Sequence, residues 1–407
     1  MGACFFANGK VPSEGEMIES VGENRCCGCE ACVQACPKHC ISMVENAEGF
    51  LYPQVDAQNC VKCGRCLKVC PVLNELERPK PVAGYAYRTT DEALLKQTSS
   101  GGFFTAVAER VLEESGVVFG AAFNDQNEVV HCFIENKDDL DKLRRSKYVQ
   151  SRIGTSFADC KRFLEDGRKV LFCGTPCQVK ALNLFLGNKP TNLITIDFVC
   201  HGVPSPGVFK RYLEELARDK GGDVAQLHEI NFRAKGFGYS YSFAFAFAFA
   251  HYMENPNDNI FLRGFLRDVY LRRSCYKCSA KGFSSGSDYT MCDFWTVRKH
   301  MPKFPLGEVP GVSQVFVHRD KMRMFVANSA GAIVMPFDVC DSRIVPRWAK
   351  VSVPLTWRRK RFFELFERGH MKMAEIVGEV SGQTLLERMI GSSRKYVGRL
   401  LRSIGAR

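Results

Sequence analysis

The chain has 407 residues, 45% of them hydrophobic and 25% charged, with a formal net charge of +12, which excludes a disordered polymer and leaves room for two or three domains with a sizeable core. Its 20 cysteines are more than a chain that builds its own core needs as crosslinks, so they point to metal or redox work in a reducing compartment. The opening MGACFFANGKVPSEGEM has neither a basic leader nor a long apolar run, and Phe6 stands where myristoylation requires Ser or Thr, so no signal peptide, membrane span or lipid anchor is expected there.

After an extension over residues 1–19, a module over 20–75 contains a duplicated run, CCGCEACVQACP from Cys26 to Pro37 and CVKCGRCLKVCP from Cys60 to Pro71. Both hold C-x2-C-x2-C-x3-C-P. Three closely spaced thiolates wrap three irons of a cubane, and the fourth must come from elsewhere, which in two-cluster proteins is the last Cys of the other run. The spacing therefore assigns Cys26, Cys29, Cys32 and Cys70 to one 4Fe-4S cluster, and Cys60, Cys63, Cys66 and Cys36 to a second. A zinc site would need four thiolates, not eight at a duplicated spacing. Cys27 and Cys40 fall out of register and read as packing. The module resembles a bacterial-type two-cluster ferredoxin.

Past the polar connector NELERPKPVAG, residues 76–340 alternate apolar runs with amphipathic segments. In QTSSGGFFTAVAERVLEESGVVFGAAF the pattern predicts a helix from Phe103 to Glu114, capped by Ser99 or Ser100 behind Gly101 and Gly102, then a strand. A helix start behind glycines suits an anionic group, although a plain capped helix has the same appearance. KVLFCG, TPCQVKALNLFLG and NLITIDFVC predict a strand, helix and parallel strand, which brings Cys177 and Cys200 to one sheet edge. Cys173 falls within the strand and reads as core. The stretch Asn259–Arg272 predicts a helix, followed by Cys275 and Cys278 as a C-x2-C. With Cys177 and Cys200 these make the four thiols of a third cubane; a zinc knuckle or redox pair at Cys275 and Cys278 alone is the alternative. Cys132, Cys160, Cys292 and Cys340 read as core. Tyr239–Tyr252, YSYSFAFAFAFAHY, predicts one strand with Phe243, Phe245, Phe247 and Phe249 on one face.

From Asp341 the chain carries fifteen Lys and Arg against six Asp and Glu. This basic tail, 341–407, predicts amphipathic helices, with Leu386, Met389, Ile390, Val397, Leu401 and Ile404 on one face. Such a helix rests on an anionic membrane surface, docks on an acidic partner, or packs on its own body. Without a recognition motif, nucleic acid is not an expected partner.

Taken in order, SSGGFFTAVAE, RRSKYVQS, GTPCQ, DFVCHGVPSP, INFRAK, SCYKC and SDYTMCDFW resemble the coenzyme F420 hydrogenase/dehydrogenase beta-subunit family, from about Pro81 to Phe337. The resemblance implies an α+β ferredoxin-like two-cluster module followed by an α/β flavin-binding domain, with FAD beside the third cluster. It places Ser100, Gly101, Gly102, Ser146, Lys147, Tyr148, Gln150, Ser151, Gly174, Thr175, Pro176 and Asp293 at the flavin. Thr296 stands where the family usually has Gly after Asp-Phe-Trp. His201 and Lys147 are the candidate catalytic groups, with a hydrogen bond beside the cluster and phosphate neutralisation as their alternative roles. The expected activity is an iron-sulfur flavoprotein oxidoreductase moving electrons between a low-potential carrier such as ferredoxin and a small organic acceptor. A non-catalytic electron-transfer subunit of a larger redox complex is the alternative. The expected location is cytoplasmic, with the tail able to reach the inner membrane face.

Overall fold

Each cysteine run folds into a loop and one short helix, Ala31–Gln34 or Arg65–Lys68, entered through a left-handed residue, Glu30 or Gly64. Pro37 and Pro71 lie just beyond and cannot continue either helix. Between the runs, β1 (Ile41–Glu45) and β2 (Leu51–Val55) pair antiparallel, so the two runs stand on one hairpin. The computed structural model describes residues 16–76, 80–235, 241–247 and 250–382.

Further along come β3 (Ala83–Thr89), β4 (Val117–Phe123), β5 (Val129–Ile134), β6 (Val170–Gly174) and β7 (Leu193–Phe198), then β8 (Leu227–Lys235), β9 (Tyr241–Phe247) and β10 (Ala250–Glu254), and finally β11 (Tyr289–Asp293), β12 (Ser313–Val317) and β13 (Ala332–Phe337). One eight-stranded sheet has the order β13-β3-β12-β11-β7-β6-β4-β5. Its centre, β11-β7-β6-β4, is parallel and its flanks are antiparallel. Strands β4 and β6 are continuous apolar runs because both their faces are covered, whereas β7 and β11 bring Thr195, Asp197 and Thr290 into the interior. Helix Phe103–Glu113 buries Phe103, Val107 and Val111 against Leu171, Ile196 and Val315 on one face. Helices Ser156–Glu165 and Pro176–Leu186 bury Phe157, Phe163 and Val179 against Phe119 and Phe172 on the other. The expected strand-helix-parallel strand unit is present, with Cys173 opposite Ile196.

The second layer is the sheet β10-β9-β8 with helix Pro206–Asp219. The phenylalanine run is a hairpin and not one strand: β9 pairs with β10, Phe247 opposite Ala250. Phe243, Phe245 and Phe247 are buried, whereas Tyr239 and Phe249 lie outside the described residues. Helices Trp357–Arg368 and Met373–Ser381 join this core through Phe362, Phe363, Ile376 and Val377. The apolar face from Leu386 to Ile404 lies outside the described residues.

Three further local expectations differ. The helix after Asn259 spans only Ile260–Phe265, because Tyr270 folds back over Gly264 onto the Phe261 carbonyl and Asp268 turns left-handed. Neither Ser99 nor Ser100 caps the helix at Phe103: Gly102, at φ 92°, is its N-cap, and the Ser100 hydroxyl donates instead to the Val312 carbonyl at 3.0 Å. Cys340 is exposed in a turn where its N–H donates to Asp338.

The ferredoxin-like module is joined to the body by buried polar contacts. Glu30 accepts from the N–H groups of Ile153 and Gly154 at 3.0 and 3.1 Å. Gln34 accepts from Phe157 and Ala158, satisfying first-turn donors of helix Ser156–Glu165. Glu48, with a side chain 4% exposed, receives Arg359 and Arg273. Burial pushes the Glu48 carboxyl up, but the two guanidiniums outweigh it and hold it below the ordinary carboxylate range. Glu48→Ala would strand the buried Arg359 charge and is expected to cost about 3–5 kcal/mol, read as a lower denaturant midpoint. In the unaltered protein this contribution is present above the ordinary carboxylate pKa and is lost as pH falls through the depressed folded value.

Candidate functional site

Twelve cysteines converge in three separate sets of four. Cys26, Cys29, Cys32 and Cys70 line one chamber, closed by Ile18, Val21 and Val72. Cys36, Cys60, Cys63 and Cys66 line a second. Cys177, Cys200, Cys275 and Cys278 line a third, at the carboxyl edge of the central strands. Among the described residues no group of three or more His, Cys, Asp or Glu closes on a point as a single ion would require; each set instead surrounds an open volume. Burial, then repulsion from neighbouring thiols, raises the Cys70 thiol to about 11 and the Cys200 thiol to about 12. Four such groups favour a bound multi-iron cation that takes up their negative charge. The donor sets fit cubane clusters.

Two cysteines outside the sets also lie here. Cys27 lines both the first and the third chamber, and its thiol is within hydrogen-bonding reach of Cys29 and Cys177. Cys40 lines the second, 3.4 Å from the Cys36 sulfur. Register arithmetic within a single run could not show either placement.

Beside the third chamber is a cavity of about 410 Å³. Its floor is the carboxyl edge of the parallel strands, where β6 ends at Gly174 and β7 at Phe198, which is where open α/β sheets bind ligands. Ser100, Gly102, Ser146, Lys147, Tyr148, Ser151, Gly174, Thr175 and Asp293 line it, with His201. Three residues that the resemblance groups with these do not line this cavity. Gly101 packs beneath, where an added Cβ would come within 2.1 Å of the Tyr87 carbonyl. Gln150 turns to the ferredoxin-like module and donates to the Cys27 carbonyl at 3.0 Å. Pro176 lines the third sulfur chamber.

The polar groups of the cavity are held by specific partners. Helix Phe103–Glu113 points its N-terminus here without a side-chain cap, leaving backbone donors for an anion. Lys147 donates to the carbonyls of Lys142 and Arg144 at 2.9 and 2.7 Å, and burial followed by the charge of Arg145 pulls its pKa down to about 7. The His201 Nε2–H donates to Asp268, and the ring sits edge-on to Phe265 and Trp348. The residues Cys200, His201, Gly202 and Val203 border both the cavity and the third sulfur chamber.

Sequence reading missed three residues here. His131 bridges Ser151 and the Cys173 carbonyl and lines the cavity; burial lowers its pKa to about 4 and keeps it neutral. Cys173 packs on the core as expected but also lines the cavity. Arg233 pairs with Asp293, and its guanidinium lies 5.1 Å from the Trp295 ring centroid. Neither the lone histidine in a β-strand nor the arginine in INFRAK carried a spacing signal.

The fold and its sulfur chambers define a ferredoxin-like iron-sulfur module fused to an α/β domain. Residues 25–74 match the model of the 4Fe-4S dicluster domain, and residues 167–337 match that of the C-terminal part of the coenzyme F420 hydrogenase/dehydrogenase beta subunit. The chain therefore joins a segment similar to that beta subunit's C-terminal part to a 4Fe-4S dicluster domain. SSGGFFTAVAE and RRSKYVQS precede the matched segment. No curated protein matches the chain. Among solved structures, a chain of the F420-reducing NiFe hydrogenase complex from Methanosarcina barkeri is similar at 16% identity and a TM-score of 0.42, over 74% of this chain and 91% of that one. A likeness this loose bears on no chemistry. As a test of the third chamber, Cys177→Ser is expected to remove one cluster, read as about four fewer irons per chain, while Cys173→Ser keeps the full iron content.

Proposed function

We propose that the chain is an iron-sulfur flavoprotein oxidoreductase that passes electrons between a low-potential carrier and a small organic acceptor bound beside FAD. The observation that carries this reading is the continuity of walls. The Cys200–Val203 loop separates the large cavity from the third sulfur chamber, and Cys27 joins that chamber to the first. Ile18, which lines both the first chamber and the second, then links those two sets. An electron entering at the second chamber thus has a chain of adjacent stations leading to the cavity.

FAD, when bound, would exchange electrons singly with clusters and in pairs with an organic acceptor. The backbone donors at Phe103 and the Lys147 ammonium would hold its pyrophosphate. Asp268 fixes the His201 ring so that its Nε2 carries the proton, and His131, neutral and doubly bonded, holds Ser151 against the β6 backbone. Beyond Ser99, Arg233 and Asp293 the cavity adjoins a second chamber of about 280 Å³, whose lining also includes Lys235, Trp295 and Arg298. That chamber gives the acceptor its approach to the cavity.

The family description names a subunit, which favours a second reading: a non-catalytic electron-transfer subunit that needs a separate catalytic chain. Turnover by the purified chain alone, with reduced ferredoxin or dithionite, would exclude it. The leading reading predicts about twelve irons and one FAD per chain purified without oxygen. Eight irons would remove the third cluster, and absence of flavin would end the flavoprotein reading. FAD affinity is also expected to weaken as pH rises through about 7, where Lys147 loses its charge, by up to roughly tenfold per pH unit. Lys147→Met should flatten that dependence in a fluorescence titration.

A further inference from the structure

The second sulfur chamber differs from the other two in reaching the surface. Of its ligand cysteines, Cys63 is exposed, whereas Cys29, Cys32 and Cys70 of the first set are buried and all four of the third are partly buried. Around Cys63 the chain places Lys38, Lys62, Arg65 and Lys68, all exposed. Lys38 and Lys62 line the chamber itself, together with Val61, which is 57% exposed, and Gly64. Arg65 and Lys68 follow on the short helix that carries Cys66. The acidic side chain lining the chamber is Glu16. Among the described residues none of the four basic side chains is ion-paired, although many surface Arg and Lys of the body have carboxylate partners within 4 Å.

This combination has a physical consequence. Electron exchange between proteins requires a cluster close to the surface. Four unpaired cations around an apolar contact attract a negatively charged surface and raise its encounter rate without a large interface. Weak redox encounters sit at the small end of interface sizes. A permanent partner would instead call for a larger apolar patch, and Val61 is the large hydrophobic exposed at this corner.

We propose that the corner around Cys63 is the docking surface for a small, acidic electron-carrier protein, held by Lys38, Lys62, Arg65 and Lys68 around Val61. The proposal rests on the electron-transfer reading above but needs neither the flavin nor the organic acceptor. It concerns delivery into the second cluster only, so the readout is chosen at that step.

In a stopped-flow experiment the holoprotein is mixed with dithionite-reduced acidic 2Fe-2S ferredoxin, and bleaching of the chain's own clusters is followed. The second-order rate is expected to fall about tenfold or more between about 20 and 300 mM salt, while reduction by the methyl viologen radical cation holds steady or rises. Lys62→Glu with Arg65→Glu should slow the ferredoxin reaction about tenfold at low salt and leave the methyl viologen rate within twofold. A ferredoxin rate that ignores both salt and charge reversal overturns the proposal. If charge reversal also lowers the iron content, the salt dependence of the unaltered protein decides alone: a steep fall supports the corner and a flat profile rejects it. Loss of flavin or of organic turnover, with the ferredoxin result intact, would count against the oxidoreductase reading and leave the docking surface standing.

Discussion

The guanidinium of Arg272 is the joint on which the arrangement of the sulfur chambers depends. It is buried, donates to the carbonyls of Cys26 and Leu51 at 2.7 and 2.8 Å and to Gln150 at 3.0 Å, and lies 4.2 Å from the Tyr52 ring centroid. A planar fork of donors meets this set of directions, and an ammonium would not. Burial disfavours its charge, but the neighbouring Cys26 and Tyr52 outweigh that effect and keep it charged. Arg272 also opens the turn that carries Cys275 and Cys278. One side chain therefore fixes the first sulfur set, the third set and the segment bearing Gln150 relative to one another.

Glu48, Glu30 and Gln34 extend this logic along the rest of the contact between module and body. A ferredoxin-like fold of this size has little core of its own, since much of its interior is the sulfur chambers. Buried polar contacts with single geometries supply what apolar packing cannot. Their cost is sensitivity, because removal of one partner leaves a buried charge unmatched.

The cysteine sets were legible because their signal is local: a fixed spacing, duplicated, can be read without knowing the fold. Cys177 and Cys200 were legible at one remove, through the apolar runs that make β6 and β7 parallel neighbours. What escaped was set by contacts distant in sequence. Cys27 gains its place between two chambers only when the module docks on the loop of Cys177. His131 comes to the cavity because β5 pairs at the edge of the sheet beside β4. The resemblance groups Gln150 with its neighbours at the flavin, yet the segment bends at Val149 and does not run as a strand, so Tyr148 and Ser151 line the cavity while Gln150 reaches the Cys27 carbonyl. The phenylalanine hairpin shows the same limit, since strict alternation runs on through a reversal of direction and so conceals it.

The exposure of Cys63 also has a cost. A cubane edge that a carrier protein can reach is equally open to molecular oxygen, which is smaller and is not turned away by charge. No cysteine of the other two sets is exposed, and the walls that join those sets also shield them. If the corner admits electrons as proposed, damage in air would begin there and would cut off supply to the inner sets while those are still intact. A carrier seated there would also act as a stopper, so the chain would be better protected while working than while idle.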